Sequence, residues 1–154
     1  MTEQVIERID QLLASVKLLG VEVPRLLAEQ NGAGFDDDDP NPQIEPLHGL
    51  NLTLRDDHAG FRVRFNTDID VAIGRVGCDV LAEYELSEFL IDAGSTEAMA
   101  EFVNGVALMH VLPYTRQHIA DVTQRVFGTP LLMPIVQRGE ITFEIAYPAG
   151  ADEA

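Results

Sequence analysis

The chain has 154 residues, with 26 acidic and 10 basic side chains and a formal net charge of -16. That length suits one domain, residues 1–154, with a real core, and the charge argues against a nucleic-acid backbone or an anionic membrane surface as partner. No apolar run approaches the roughly 20 residues of a membrane helix, the start MTEQVIERID is acidic and amphipathic, and Cys78 is the one cysteine, so a cytoplasmic protein without a disulfide framework is expected.

Over residues 2–15, Val5, Ile6, Ile9, Leu12 and Leu13 recur at helical spacing, with Glu3 and Glu7 early, where the helix dipole favours them. A short amphipathic helix is predicted. Residues 16–23 follow as a strand that Pro24 ends. Residues 31–42 form a loop with four consecutive aspartates, Asp36 to Asp39, among glycine and proline. A calcium loop needs alternating ligands, a glycine and a distal glutamate, and DDDDPNPQ supplies no such pattern.

Three stretches then alternate with period two. In residues 48–56, Leu50, Leu52 and Leu54 face one way, and in residues 60–73, Phe61, Val63, Phe65, Ile69, Val71 and Ile73 do. DDHAG provides turn chemistry between them, so a hairpin is predicted. Residues 78–89 put Val80, Ala82, Tyr84 and Leu86 on one side and Leu81, Glu83 and Glu85 on an acidic other side. With the first strand these make a four-stranded antiparallel sheet, one face of which the following helices cover.

Gly94 and Ser95 end the sheet and cap a helix over residues 98–105, followed by a longer one over 106–127 that Gly128 closes. Its expected apolar stripe is Tyr114, Ile119, Val122 and Val126. Pro113 lacks the helical N–H and crowds the carbonyl one turn back, so the helix kinks or starts afresh near Met109. Residues 131–136, Leu131, Leu132, Met133, Pro134, Ile135 and Val136, lack strand alternation and are broken by proline, fitting neither regular element. Residues 141–147 are a last short alternating stretch.

No chemistry-bearing motif stands out. His110 and His118 lie eight apart on one helix, beyond the usual pair of zinc ligands, and His48 and His58 lie elsewhere. Cys78 follows Gly77 without a nucleophile turn or a local histidine, and no phosphate-cradling glycine motif occurs. The expectation is a protein that is not an enzyme, with no cofactor and no metal.

The order of elements and several segments resemble the SecB family of export chaperones. LPYTRQHIADVTQRVFGTPLLMPI, residues 112–135, is similar to the family's proline-containing helix and the crossover segment after it. VKLLGVEVP, residues 16–24, is similar to the first strand, with Glu22 two before the closing proline, and LAEYEL, residues 81–86, to the fourth. The fold class implied is α+β, a SecB-like four-stranded antiparallel sheet with an N-terminal helix and a long helix from the C-terminal half packed on one side.

The resemblance also implies a holding chaperone for unfolded polypeptides, preproteins kept export-competent, working as a homotetramer built as a dimer of dimers. Its client groove would be lined by Leu50, Leu52, Leu54, Leu131, Leu132, Met133, Ile135 and Val136, all of which a plain reading of the pattern takes as core. Glu22, Leu81 and Glu83 match positions that dock the tail of the SecA motor. Three departures bear on this: an aspartate expected near Leu18 is missing, RGEITFEIAYPAGADEA replaces the family's long final helix, and the leading helix resembles toxin–antitoxin-associated SecB-like chaperones. The last favours a dedicated client such as an antitoxin.

Overall fold

Strands that alternate apolar and polar residues leave the sheet with one face that must be covered, and the architecture follows from that requirement. The computed structural model describes residues 4–32, 45–134 and 139–145. In chain order the elements are strand β1 (Gln4–Val5), helix α1 (Ile9–Ser15), strands β2 (Val16–Gln30), β3 (Leu47–Leu54), β4 (Gly60–Val71), β5 (Gly74–Leu86) and β6 (Phe89–Leu90), then helices α2 (Thr96–Phe102) and α3 (Leu108–Phe127). The main sheet is antiparallel with the order β2-β5-β4-β3, and β1 pairs in parallel with β6 in a small second sheet. This is the predicted α+β arrangement.

The first helix is shorter than its apolar spacing suggests. Val5 is taken into β1, the Ile6 N–H donates to the Leu90 carbonyl at 2.9 Å, and Ile6 is fully buried, so these side chains serve a strand pairing instead of a helix face. The Gln11 side chain then accepts from the Glu7 and Arg8 backbone N–H groups at 2.8 and 3.0 Å and starts α1. Nor does Pro24 end its strand: β2 runs on to Gln30, with register shifts between Leu18 and Gly20 and between Glu22 and Arg25. As an edge strand, β2 has one row of N–H groups without a partner strand, and a bulge there accommodates the missing donor.

On the covered face, Phe61, Val63, Phe65, Val80, Ala82 and Tyr84 are buried beneath the helices. Phe102 of α2 stands edge-on to Phe61 and Tyr84, with ring centroids 5.7 and 5.2 Å away. The Tyr84 hydroxyl reaches His110 Nδ1 at 2.8 Å, and burial raises its phenol above the ordinary value. Cys78 is buried too, its thiol pushed up to about 11, as an inert core side chain should be.

Asp92 caps the turn before α2 by accepting from the Gly94 N–H at 2.7 Å. Between α2 and α3 the chain makes a π-helical turn, Val103–Ala107, and α3 begins at Leu108, one residue before Met109. Pro113 lies exposed inside α3, five residues in from Leu108. The buried residues of α3 are Leu108, Val111, Leu112, Thr115, Ile119, Thr123 and Phe127; of the expected stripe only Ile119 is fully covered, and Tyr114 points outward. Gly128, at φ 82°, ends the helix in the left-handed conformation that glycine adopts freely.

At Gly74 a Cβ would overlap the carbonyl oxygen of Glu29 across the β2–β5 pairing. Gly74→Ala should therefore cost about 2 kcal/mol, the usual scale of a forced overlap. Urea denaturation measures it, and an unchanged midpoint would mean that β2 and β5 separate at this end at no cost.

Candidate functional site

Leu50, Leu52 and Leu54 face the same side as the core, because their cross-strand partners are the buried Phe65, Val63 and Phe61. They are only half-buried, since β3 is the other edge of the sheet and α3 lies over β5 and β2. Among the described residues, a row of three leucines is thus left along an edge with no partner strand, an arrangement suited to an added extended segment.

The segment after α3 is the other part of the expected groove. The Thr123 hydroxyl accepts from the Leu131 N–H at 2.7 Å and donates to the Ile119 carbonyl, which fastens the segment to the helix. From there burial alternates: Leu131 and Met133 are buried, Pro134 is exposed and Leu132 is 67% exposed. Residues 131–134 therefore have the period of an extended chain, contrary to the expectation from their composition, because the side chains inserted into the core are those of alternate residues. Leu131 and Met133 sit in the core, Leu132 is free to meet a partner, and Ile135 and Val136 lie outside the described residues.

Residues 141–145 were legible as an alternating stretch but not as a neighbour of this region. Ile141, Phe143 and Ile145 are half-buried against the core, and the Phe143 ring stands edge-on to Phe65 with centroids 6.2 Å apart. Asn104, on the π-helical turn, accepts from the Phe143 N–H at 2.7 Å and donates to its carbonyl at 2.9 Å. Nothing in the sequence around Asn104 marks this role. On the other flank of Phe65, His48 stacks at 5.0 Å, and its Nδ1 lies 2.9 Å from the Thr67 hydroxyl.

The opposite face of the sheet holds Glu22, Leu81 and Glu83, with Glu22 paired across to Leu81. It was expected to be acidic, yet five of the chain's ten basic residues gather on it. Arg62 lies 3.6 Å from Glu83, Arg55 2.9 Å from Glu85 and Arg75 2.9 Å from Glu29. At the centre the buried Asp79 carboxylate accepts from Arg25 at 3.1 Å and from Arg64 at 2.7 Å, while Arg25 also bonds Asp68 at 2.8 Å. Arg62 and Arg64 alternate with the apolar residues of β4; the register sets Arg62 opposite Glu83, and Arg64 reaches diagonally to Asp79. A polar cleft of about 370 Å³ where β2, β4 and β5 meet is lined by Glu29, Gln30, Asp70 and Arg75, with Arg75 already bonded to Glu29. Among the described residues no cluster of side chains could hold a metal ion, and no helix is long and apolar enough to cross a membrane.

No family profile matches the sequence, and no curated protein matches it. Among solved structures, the chain is similar to the Mycobacterium tuberculosis Rv1957 SecB-like chaperone, in complex with a ChAD peptide from the Rv1956 HigA1 antitoxin. The TM-score is 0.68 at 16% identity, covering 84% of this chain and 96% of that one. A protein of unknown function from Streptococcus agalactiae aligns at 10% identity with a TM-score of 0.46, covering 78% of this chain and 97% of that one. The fold is thus SecB-like, as the helix and strand motifs of the sequence suggested.

Two predictions come from these surroundings. Burial holds the His48 imidazole below its ordinary 6.5, so on acidification the unfolded chain takes up this proton before the folded one does. The stability it contributes is complete above that ordinary value, declines as the pH falls through it and levels off below the folded value. Unfolding midpoints between pH 7.5 and 5 should fall further for the wild type than for His48→Gln; parallel curves would remove His48 as the cause. Asp79→Asn leaves two guanidinium groups without their shared carboxylate and should cost about 2 kcal/mol in urea unfolding. A loss below a few tenths would show that the arginines find other partners.

Proposed function

We propose that the protein is a SecB-like holding chaperone that binds non-native polypeptide segments along β3 and the segment after α3. The observation that carries this reading is the half-covered row Leu50, Leu52 and Leu54 on a sheet edge that has no partner strand among the described residues; the segment after α3 adds the exposed Leu132. Such a surface offers backbone hydrogen bonds to any extended chain and apolar contact to alternate side chains, so it recognises non-native character without demanding one sequence. The protein acts by binding alone, with no reaction and no cofactor, and its strong negative charge keeps an apolar surface soluble in the cytoplasm.

A second form of the reading is a chaperone dedicated to one partner, for which an antitoxin is the candidate. It is favoured by the fold's likeness to a SecB-like chaperone solved with an antitoxin peptide. Preproteins and delivery to SecA belong to the export form of the reading, and there the opposite sheet face is less suited than expected. Arginines pair with several of its carboxylates, Glu83 and Asp79 among them, which weakens the field that would steer a basic tail to Glu22, Leu81 and Glu83. For a homotetramer the natural contact is the β2 edge, where Leu18 and Leu26 are 40% and 42% exposed.

The test joins mass in solution with suppression of aggregation of several unrelated unfolded proteins. A generalist protects most of them, a dedicated chaperone one, and a protein that protects none is not a holding chaperone. Leu52→Asp and Leu132→Asp should each weaken binding of a permanently unfolded, reduced and carboxymethylated protein by about tenfold, the worth of one apolar side chain. Unchanged affinity in both variants would move the binding surface elsewhere.

A further inference from the structure

Residues 141–145 are held in an unusual way for an apolar segment. Every second side chain, Ile141, Phe143 and Ile145, rests against the core, while Thr142 and Glu144 face solvent. This is the pattern of a strand, yet the segment forms no strand and joins no sheet. Its main chain is gripped instead by one side chain, the Asn104 carboxamide, which pairs with both the N–H and the carbonyl of Phe143. A carboxamide has one acceptor oxygen and two N–H donors, so it satisfies an extended residue as a neighbouring strand would, whatever that residue's side chain. The second Asn104 N–H donates to the Ala100 carbonyl at 2.9 Å, which fixes the amide plane on the helix.

The place where Phe143 rests belongs to the surface assigned to clients. Phe65, which it meets edge-on, is the cross-strand partner of Leu50, so the phenyl group lies on the same sheet face as the leucine row. One segment of the chain itself thus places on this face an aromatic side chain with apolar side chains two residues to either side.

We propose that Asn104 and the adjoining Phe65 face form a subsite for an aromatic residue within an extended apolar-x-aromatic-x-apolar segment of a bound polypeptide, and that residues 141–145 occupy it until such a segment displaces them. The inference rests on the holding-chaperone reading and adds to it a main-chain clamp, an aromatic preference and an internal competitor. Asn104 supplies affinity independent of sequence, and the space around Phe65 supplies the preference. Because the internal segment lacks a backbone ladder, a client able to pair with β3 as well as with Asn104 makes bonds that the competitor does not. Occupation by the chain's own residues lowers apparent client affinity by the fraction of time that the subsite is filled.

The probe is a fluorescent, reduced and carboxymethylated protein, together with a peptide of residues 139–145 and its phenylalanine-to-serine counterpart. In the full-length chain, Phe143→Ser weakens the competitor and should tighten probe binding about fivefold. Adding Asn104→Ala to that variant should remove the gain. The phenylalanine peptide should compete for the probe and the serine peptide should not. Thermal melting of each variant separates a change in affinity from a loss of fold. A further measurement needs no substitution: the Phe143 amide, held by Asn104, should exchange hydrogen faster when the wild-type chain is saturated with probe. Probe binding by the wild type with Phe143 exchange unchanged, or by a stably folded Phe143→Ser chain with no gain in affinity, overturns the subsite and leaves the chaperone reading standing. Failure of every chain to bind the probe overturns both.

Discussion

Everything about the candidate site traces to a mismatch of widths. Four strands spaced about 4.8 Å apart present a face wider than one helix of about 10 Å diameter can cover. The long helix α3 settles over β5 and β2, and α2 adds Phe102 over Phe61 and Tyr84. The outermost strand, β3, is left with its leucines half-covered. Apolar surface that the helices leave is met by chain without regular structure: Leu131 and Met133 on one segment, and on another Ile141, Phe143 and Ile145, with Phe143 beside Phe65. Segments of this kind carry few backbone hydrogen bonds and exchange more readily than a helix would, so the least firmly covered part of the core is where a partner can enter.

The two faces of the sheet solve different problems. On the covered face, burial alone selects side chains, and Cys78 and Tyr84 titrate well above their ordinary range because water is excluded. On the other face, charge has to be placed so that a strongly acidic chain does not repel itself across closely spaced strands. Gathering half of the basic residues there, around Asp79, offsets much of that face's negative charge. Ion pairs at the rim are individually weak, but the centre is shared by two guanidinium groups and partly shielded, so it fixes register as well as adding stability. A partner that reads charge meets a patterned surface there instead of an acidic field.

The π-helical turn between α2 and α3 shows how a local irregularity serves a distant contact. Pro113 removes one helical hydrogen bond, and the winding is relaxed one to three turns earlier, at Val103–Ala107. The turn carries Asn104, whose carboxamide reaches both the helix and Phe143.

How far the sequence went is clearest in particular residues. Alternation in β3, β4 and β5 is local, with every second side chain on one face, so the sheet and its covered side could be derived from the sequence alone. The motifs of residues 112–135 likewise led to the fold that the structural comparison bears out. Other features depended on partners far away in the chain. Val5 and Ile6 fit a helix until β6 offers them a strand, Pro24 ends a strand unless that strand lies at an edge, and residues 131–134 seem patternless until the core accepts alternate side chains. Asn104 is 39 residues from Phe143, and Arg25 is 54 from Asp79. Periodicity is written into the chain because it concerns nearest neighbours; which edge stays open, which carboxylate an arginine meets and what fills the last of the apolar surface are decided only when distant segments are brought together.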